Sequence, residues 1–447
     1  MYLKRKADKY LNEWKQDIDR KPLIVYGARQ VGKTRTIREF AKNNYDNVVE
    51  INFVLSPVYK EIVEDGYSVD NIVKLISRIN PSLKFVPNKT LIFFDEIQEF
   101  PDITTSLKFF KEDGRFDVIC SGSMLGIQYN HINSISVGYK TDYKMYSMDF
   151  EEFLWAKGYK DDVIEDMLNN MLNLKPFNNL ESSLFSGLFL DYCILGGTPD
   201  VVNTYINKNT FEGSLESLKQ LSIDYEGDMI KYSSGLDKAK IINVYRSIPA
   251  QLAKENKKFQ YSKISHGARA KDYDGCITWL EDAGIIKKCV CLNFPGLPLK
   301  GNTAEDKFKV YMMDTGLLIS QLDEQAQQDV RSGKNLGVYK GALYENFVAE
   351  ALVKQGYSLY YYSKSNSTLE EDFFIRSQSE LLPIKVKSNN GMSKSLNTLI
   401  NNPYYSDIKN GIKIISGNIG YNNNILTIPH FCVFLLKRYM EKQTLFK

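Results

Sequence analysis

A chain of 447 residues exceeds the ~250–300 at which one hydrophobic core usually stops growing, so two or three domains are expected. With 43% hydrophobic and 25% charged residues, the composition is that of a folded globular protein and excludes a disordered or collagen-like one. The 57 basic and 54 acidic residues leave a net charge of +3, which excludes a general attraction to nucleic acid or membrane, so any such surface must be local.

The basic amino terminus, MYLKRKADKYLNEWKQDIDRK, lacks the apolar segment and small-residue cleavage site of a signal peptide. No stretch approaches the ~20 apolar residues that span a bilayer, so no membrane partner is expected. Six cysteines, at 120, 193, 276, 289, 291 and 432, form no Cys-x-x-Cys pair, which argues against a disulfide framework or zinc site and for a reducing cytoplasm. Leu3, Tyr10, Leu11, Trp14 and Ile18 fall roughly on one face of a helix over 3–19.

PLIVYG then predicts a short buried strand and TRTIREFAKNN a helix, the setting a phosphate loop needs. VVEINF (48–53) predicts a second strand, SVDNIVKLISRI (68–79) a helix, TLIFFDEI (90–97) a buried strand ending in two acids, and FDVICSGS (116–123) a fourth strand. Apolar strands alternating with helices indicate an α/β fold with a parallel, helix-flanked sheet. Ligands of such sheets bind at the carboxyl ends of the strands, where the glycine loop, Asp95-Glu96 and Ser121 all fall.

From about 145 the pattern turns helical, in FEEFLWAKG, DDVIEDMLNNMLN and 213–256, with LGGTPDVV (195–202) as a loop. Residues 261–293 show two helical patterns and then an alternating strand, the order of a winged helix-turn-helix. KGALYENFVAEALVKQG predicts an amphipathic helix, followed by strands at YSLYYYS, EDFFIRS and LLPIKVKS. Residues 297–306 and 321–336 are the candidate linkers.

The sequence GARQVGKT, residues 27–34, carries two glycines four residues apart, then Lys and Thr. Gly27, Ala28, Arg29, Gln30, Val31 and Gly32 would wrap backbone N–H groups around phosphate oxygens, and Arg35, in the helix behind them, is expected to join the nucleotide-binding set. Lys33 would reach the terminal phosphates of ATP, and Thr34 would offer its hydroxyl to Mg2+. In LIFFDEI, Asp95 would hold the Mg2+ through water and Glu96 would polarise the attacking water as general base. Ser121 is a candidate for a catalytic polar sensor of the γ-phosphate or, alternatively, a hydroxyl capping a turn.

GARQVGKT, LIFFDEIQ, CSGS and FEEFL, in this order, resemble the hallmarks of a bacterial and archaeal family of AAA-type P-loop ATPases. GGTPDVV and YEGDMIK are similar to further motifs of that family, which implies that Tyr225 and Asp228 lie near the nucleotide or a subunit contact. KVYMMDTGLL, KGALYENFVAEAL and PIKVKS are similar to the domain of unknown function that usually follows, which resembles a degenerate restriction-nuclease-like fold. The resemblance implies an ATPase core over 1–145, a helical lid over 146–240, a winged-helix-like module over 241–296 and an α+β domain over 297–447.

Two departures stand out. The family implies an Arg after the sensor strand, where this chain has Tyr139, leaving Lys140 or an Arg elsewhere to stabilise phosphoryl charge, or leaving hydrolysis slow. In a nuclease-like fold Glu345 and Asp372 would hold Mg2+, but Lys385 of Lys385-Val386-Lys387 stands where a second carboxylate belongs, and a cation there repels a metal. Lys263, Arg269 and Lys271 could touch DNA phosphates, while Asp272, Asp274, Glu281 and Asp282 dilute their charge; winged helices serve protein partners equally. His131, His266 and His430 stand alone and are read as structural. The expected function is Mg2+-dependent ATP hydrolysis coupled to conformational change of carboxyl-terminal binding modules, with a nucleotide-gated DNA- or protein-binding regulator as the alternative.

Overall fold

The computed structural model describes residues 1–123, 136–233, 237–254, 257–322, 324–332, 337–364, 367–377, 380–388, 391 and 393–443. His131 lies outside them. The chain divides into two compact units, one of residues 1–147 with 282–284 and the other of 148–281 with 285–447.

The first unit is the expected α/β core. Helix α1 (Lys6–Gln16) precedes β1 (Leu23–Tyr26), whose apolar run leaves no face for solvent and forces the strand inside. Then follow α2 (Lys33–Asn44), β2 (Asn47–Asn52), α3 (Val69–Ile79), β3 (Thr90–Asp95), α4 (Leu107–Asp113), β4 (Asp117–Gly122) and β5 (Thr141–Lys144). The five strands are all parallel in the order β2-β3-β4-β1-β5, so β4 lies between β1 and β3. Ile92 and Phe94 of β3 join one buried layer, Leu91 and Phe93 the other, as period-two alternation in a two-sided sheet requires. Leu11 and Trp14 of α1 are buried as expected, but Ile18 is 98% exposed, because α1 ends at Gln16 and its face does not continue.

In the second unit, α5 (Phe150–Ala156) opens with a reciprocal cap: Glu152 N–H donates to Asp149 Oδ1 and Asp149 N–H to Glu152 Oε2, each 3.0 Å. That cap fixes the start of the FEEFL helix, whose Phe150 and Phe153 pack edge-on against Tyr192 at 5.6 Å. Helices α6 (Asp161–Leu172), α7 (Asn179–Leu195), α8 (Pro199–Lys208), α9 (Ser214–Tyr232) and α10 (Lys238–Leu252) follow. Tyr225 and Asp228 are both buried on α9. Of the two helical patterns expected in 261–293, the first is only a 3₁₀ turn at Tyr261–Lys263, and Gly267 with φ +79° follows it. The second is α11 (Ala270–Asp282), and β6 (Ile286–Leu292) comes next.

Strand β7 (Thr303–Met312) pairs antiparallel with β6 and is followed by α12 (Thr315–Ser320), α13 (Glu324–Ser332) and α14 (Gly337–Lys354). Helix α13 occupies a stretch expected to be a linker; its polar composition hid a periodicity that only tertiary contact makes useful. Then come β8 (Tyr360–Ser363), β9 (Glu370–Glu371), β10 (Phe373–Ser377), β11 (Glu380–Val386), α15 (Lys394–Asn401), β12 (Gly411–Ile415), β13 (Gly420–Asn422), β14 (Ile425–Pro429) and α16 (Leu436–Lys442). They build a four-stranded sheet, β7-β6-β8-β9, and a five-stranded sheet, β10-β11-β12-β14-β13. All six cysteines are unpaired and buried, and among the described residues no helix is long and apolar enough to cross a membrane.

Candidate functional site

The loop between β1 and α2 needs its glycines for two separate reasons. At Gly27 a Cβ would lie 2.0 Å from the Met145 carbonyl oxygen, because Met145 N–H donates to Tyr26 O and draws the backbone in. Gly32 sits at φ +97°, in the left-handed region that favours glycine. Gln30 also takes a positive φ of 59°. The turn is pinned from below by Arg5, which is buried and donates to Val31 O and Tyr146 O, each at 2.7 Å. Arg35 donates to Met1 O at 2.6 Å.

Lys33 is 7% exposed, and its ammonium donates to the loop's own carbonyls, Gly27 O at 3.0 Å and Ala28 O at 2.8 Å. Burial pulls its pKa down to about 8, against the raising influence of Glu96 and Asp95. A desolvated ammonium held by carbonyl dipoles is a fit for an anion such as a triphosphate, which would restore the charge's solvation.

Asp95, at the end of β3, gathers three side chains. Thr34 Oγ1 lies 3.1 Å from both carboxylate oxygens, Asn52 Nδ2 donates to Oδ2 at 3.0 Å, and the Ser121 hydroxyl donates to Oδ1. The Ser121 hydroxyl is thus engaged with Asp95 from β4, the strand between those carrying the glycine loop and the acids. A hydroxyl facing a carboxylate beside an anion cradle is the donor set a hard divalent cation takes, so Thr34 and Asp95 fit Mg2+.

Glu96 adopts φ +57°, ψ +46°, a left-handed conformation that costs a non-glycine residue of order 1 kcal/mol or more. Its carboxylate accepts from Gln98 Nε2, while Gln98 Oε1 accepts from Ser123 N–H at 3.2 Å, so the amide bridges Glu96 to the end of β4. Replacing Gln98 with Ala removes that bridge. Turnover is expected to fall about tenfold, the worth of one positioning hydrogen bond of ~1–1.5 kcal/mol, with nucleotide affinity within about twofold. Steady-state hydrolysis beside equilibrium nucleotide titration checks it.

Arg5, Asn52 and Gln98 escaped the sequence reading. Gln98 belongs to the quoted DEIQ run and so carried a positional signal; Asn52, inside the predicted strand 48–53, and Arg5 carried none. The position of Tyr139 is a turn, its N–H on Ser136 O at 3.1 Å, and Lys140 is ion-paired with Asp142. The sequence contains no arginine between Arg115 and Arg246. Arg38 is committed to Glu50 through bonds of 2.6 and 3.0 Å.

The second unit brings Glu345 and Asp372 together, but around an ammonium. Lys309 on β7 is 1% exposed, with Nζ 3.2 Å from Glu345 Oε1, 3.0 Å from Glu370 Oε1 and 4.0 Å from Asp372 Oδ1. Lys257 and the Tyr311 hydroxyl also reach Glu345, while Lys385 donates to Asp372 Oδ1 at 3.1 Å and Val386 N–H to Oδ2 at 2.8 Å. Burial opposes both charges, yet Lys257 and Lys309 hold the Glu345 carboxyl well below its usual range, and the carboxylates hold Lys309 well above its own.

Beside this cluster Glu371 is buried. Burial pushes its pKa up to about 8, with Lys385 pulling the other way. The folded state therefore keeps a proton that the unfolded chain releases near its ordinary value, so this group's contribution to stability falls as pH rises toward 8. Glu371→Gln, which carries no such proton, is expected to gain on wild type by up to ~1.4 kcal/mol per pH unit across that window. Denaturant midpoints at pH 5 and pH 8 measure it.

His430 is also buried, and desolvation lowers it to about 3, so it stays neutral. His266 is exposed.

A parallel sheet with a glycine loop at the end of one strand and a carboxylate at the end of another, one strand apart, defines a P-loop ATPase core. Residues 19–154 match the family model described as AAA domain, and 186–328 and 340–431 match two domains of unknown function, DUF8612 and DUF4143. Among solved structures, the chain is similar to the Walker-type ATPase of Pyrococcus abyssi, at 14% identity over 72% of this chain and 96% of that one, with a TM-score of 0.44. It is also similar to the ORC1 protein of Aeropyrum pernix in complex with DNA, at 12% identity over 74% of this chain and 93% of that one, with a TM-score of 0.28. No curated protein matches it.

Proposed function

We propose that this chain is a Mg2+-dependent ATP hydrolase of the AAA type whose nucleotide cycle drives binding modules in the second unit. The observation that carries the reading is the Thr34–Asp95 pairing at 3.1 Å beside the desolvated Lys33. The backbone N–H groups of 27–32 bind phosphate oxygens, Lys33 turns from Gly27 O and Ala28 O to the terminal phosphates, and Thr34 with Asp95 holds the metal. A bound Mg2+ supplies charge neutralisation between the phosphates. Glu96 accepts a proton from the water whose oxygen forms the new bond to the γ-phosphorus, as the bond to the bridging oxygen breaks and ADP leaves. Asn52 and Ser121 orient Asp95, and Gln98 orients Glu96.

Lys33→Ala tests the site itself. Removing a buried, charge-assisted donor is expected to weaken Mg-ATP binding by roughly 10- to 100-fold, the equivalent of ~1.5–3 kcal/mol. Calorimetric titration with unchanged affinity in this variant would sink the proposal.

The arginine-free stretch from 116 to 245 and the Lys140–Asp142 pair favour slow turnover, and with it a second reading in which occupancy by ATP, more than hydrolysis, sets the state of the second unit. That reading predicts nucleotide-dependent partner binding that survives in Glu96→Gln.

A further inference from the structure

Arg5 is a buried side chain that the proposed chemistry does not use. It is 4% exposed, and its guanidinium forks: Nη1 donates to Val31 O, 26 residues along the chain, and Nη2 to Tyr146 O, 141 residues along, each at 2.7 Å. The start of α1 sets its place, since Arg5 N–H donates to Asp8 Oδ2 at 2.8 Å and Asp8 N–H to Arg5 O at 3.1 Å. Farther out, the Arg35 bond to Met1 O at 2.6 Å ties the arm to the start of α2, and Leu3, between the two ties in the chain, is buried. A buried guanidinium carries a desolvation cost that an apolar side chain would not, so packing alone does not account for an arginine here.

Its two acceptors say what the arginine does. Val31 C=O and Gly32 N–H belong to one planar trans peptide group and point in opposite directions. A guanidinium on the Val31 oxygen therefore fixes where the Gly32 N–H points, and it polarises the same peptide into a stronger donor. Gly32, at φ +97°, has no Cβ to restrict that peptide, so a contact from elsewhere has to hold it. The second acceptor, Tyr146 O, follows Met145, whose carbonyl closes on Gly27 and whose N–H donates to Tyr26 O at 2.7 Å. One side chain thus ties the end of the loop to the segment that backs its first glycine.

We propose that Arg5 is a positioning residue for the triphosphate, acting through the Val31–Gly32 peptide without touching the nucleotide. The inference rests on the reading of residues 27–34 as an ATP loop. With the guanidinium in place the Gly32 N–H is aimed before the nucleotide arrives, so binding does not have to order the loop. When Lys33 leaves Gly27 O and Ala28 O for the terminal phosphates, Arg5 keeps Val31 O and the loop keeps its shape. The amino-terminal arm is accordingly part of the nucleotide site, although a helix and a strand separate it from the loop in the chain.

The test is calorimetric titration of Mg-ATP into the full chain. Arg5→Ala is expected to weaken binding about tenfold, the low end of what a hydrogen bond to a charged group contributes. Arg5→Lys keeps the stem packed but cannot fork to both carbonyls, so a loss of about threefold is expected, and it carries the comparison where Arg5→Ala does not fold. In steady-state hydrolysis the loss is expected in KM, with kcat moved far less, because Asp95 and Glu96 are untouched. Millimolar methylguanidinium, against an equal concentration of sodium chloride, is expected to return most of the lost affinity to Arg5→Ala and none to Lys33→Ala. Without nucleotide, amide exchange over 27–32 is expected to be faster in Arg5→Ala than in wild type. Wild-type affinity in both Arg5 variants, beside a Lys33→Ala that has lost it, overturns this inference and leaves the ATP site standing. A loss that tracks a lowered denaturant midpoint and is not restored by methylguanidinium assigns Arg5 to the fold alone and overturns it as well. A wild type that does not bind Mg-ATP removes the ATP reading itself, and this inference with it.

Discussion

Glu96→Gln is expected to retain Mg-ATP binding while losing hydrolysis by about 10²–10⁴-fold, the range a positioned general base contributes. The two effects separate because the residues proposed to hold the nucleotide are elsewhere: Lys33 in the loop, Thr34 at the start of α2 and Asp95 at the end of β3. Glutamine keeps the side chain's length and can still bond to Gln98, so the left-handed turn at 96 and the bridge to Ser123 are conserved in shape. What disappears is the carboxylate that takes the water's proton. Steady-state phosphate release and equilibrium binding on the same preparation decide the matter. Unchanged turnover would remove Glu96 from the chemistry, and loss of binding would mean that it serves the fold of the loop instead.

Lys309→Met is expected to destabilise the second unit by about 3–5 kcal/mol, the cost of stripping one partner from a buried ion pair. Lys309 is 1% exposed and lies within ion-pair distance of Glu345, Glu370 and Asp372, so its loss leaves like charges facing one another in low dielectric. The ammonium stands among the carboxylates, and with Lys385 on Asp372 the cluster is satisfied by the chain's own cations. Adding Glu345→Gln to Lys309→Met is expected to recover part of the loss, because it withdraws one of the orphaned charges. By contrast, the exposed Lys9–Glu13 pair belongs to the class worth little when broken. Denaturant titration followed by intrinsic fluorescence measures both variants, and a wild-type midpoint for Lys309→Met would show that the cluster carries no net stabilisation.

Much of the candidate site's local geometry was legible in the chain because its determinants are local. A glycine at φ +97°, a lysine directly after it and an apolar strand ending in Asp95-Glu96 are features of a few consecutive residues, and the backbone physics acts over the same span. The α/β core followed from the same periodicities. Ile18 failed because a helical face says nothing about where the helix stops, and the 3₁₀ turn at 261–263 because a short pattern cannot nucleate a helix by itself.

The tertiary structure alone decided which strands stand side by side. The order β2-β3-β4-β1-β5 brings Asn52, 43 residues away, onto Asp95 and sets Ser121 against it from the next strand. Likewise only the packing of β7 beneath α14 places Lys309 on Glu345, 36 residues apart, and Lys257 on the same carboxylate from 88 residues away. The sequence determined the glycine loop and the acid at the end of an apolar strand, because local backbone geometry and burial are written in neighbouring residues. Which cation each buried carboxylate receives was left to the fold, because Coulomb pairing depends on distance in space and is blind to distance along the chain.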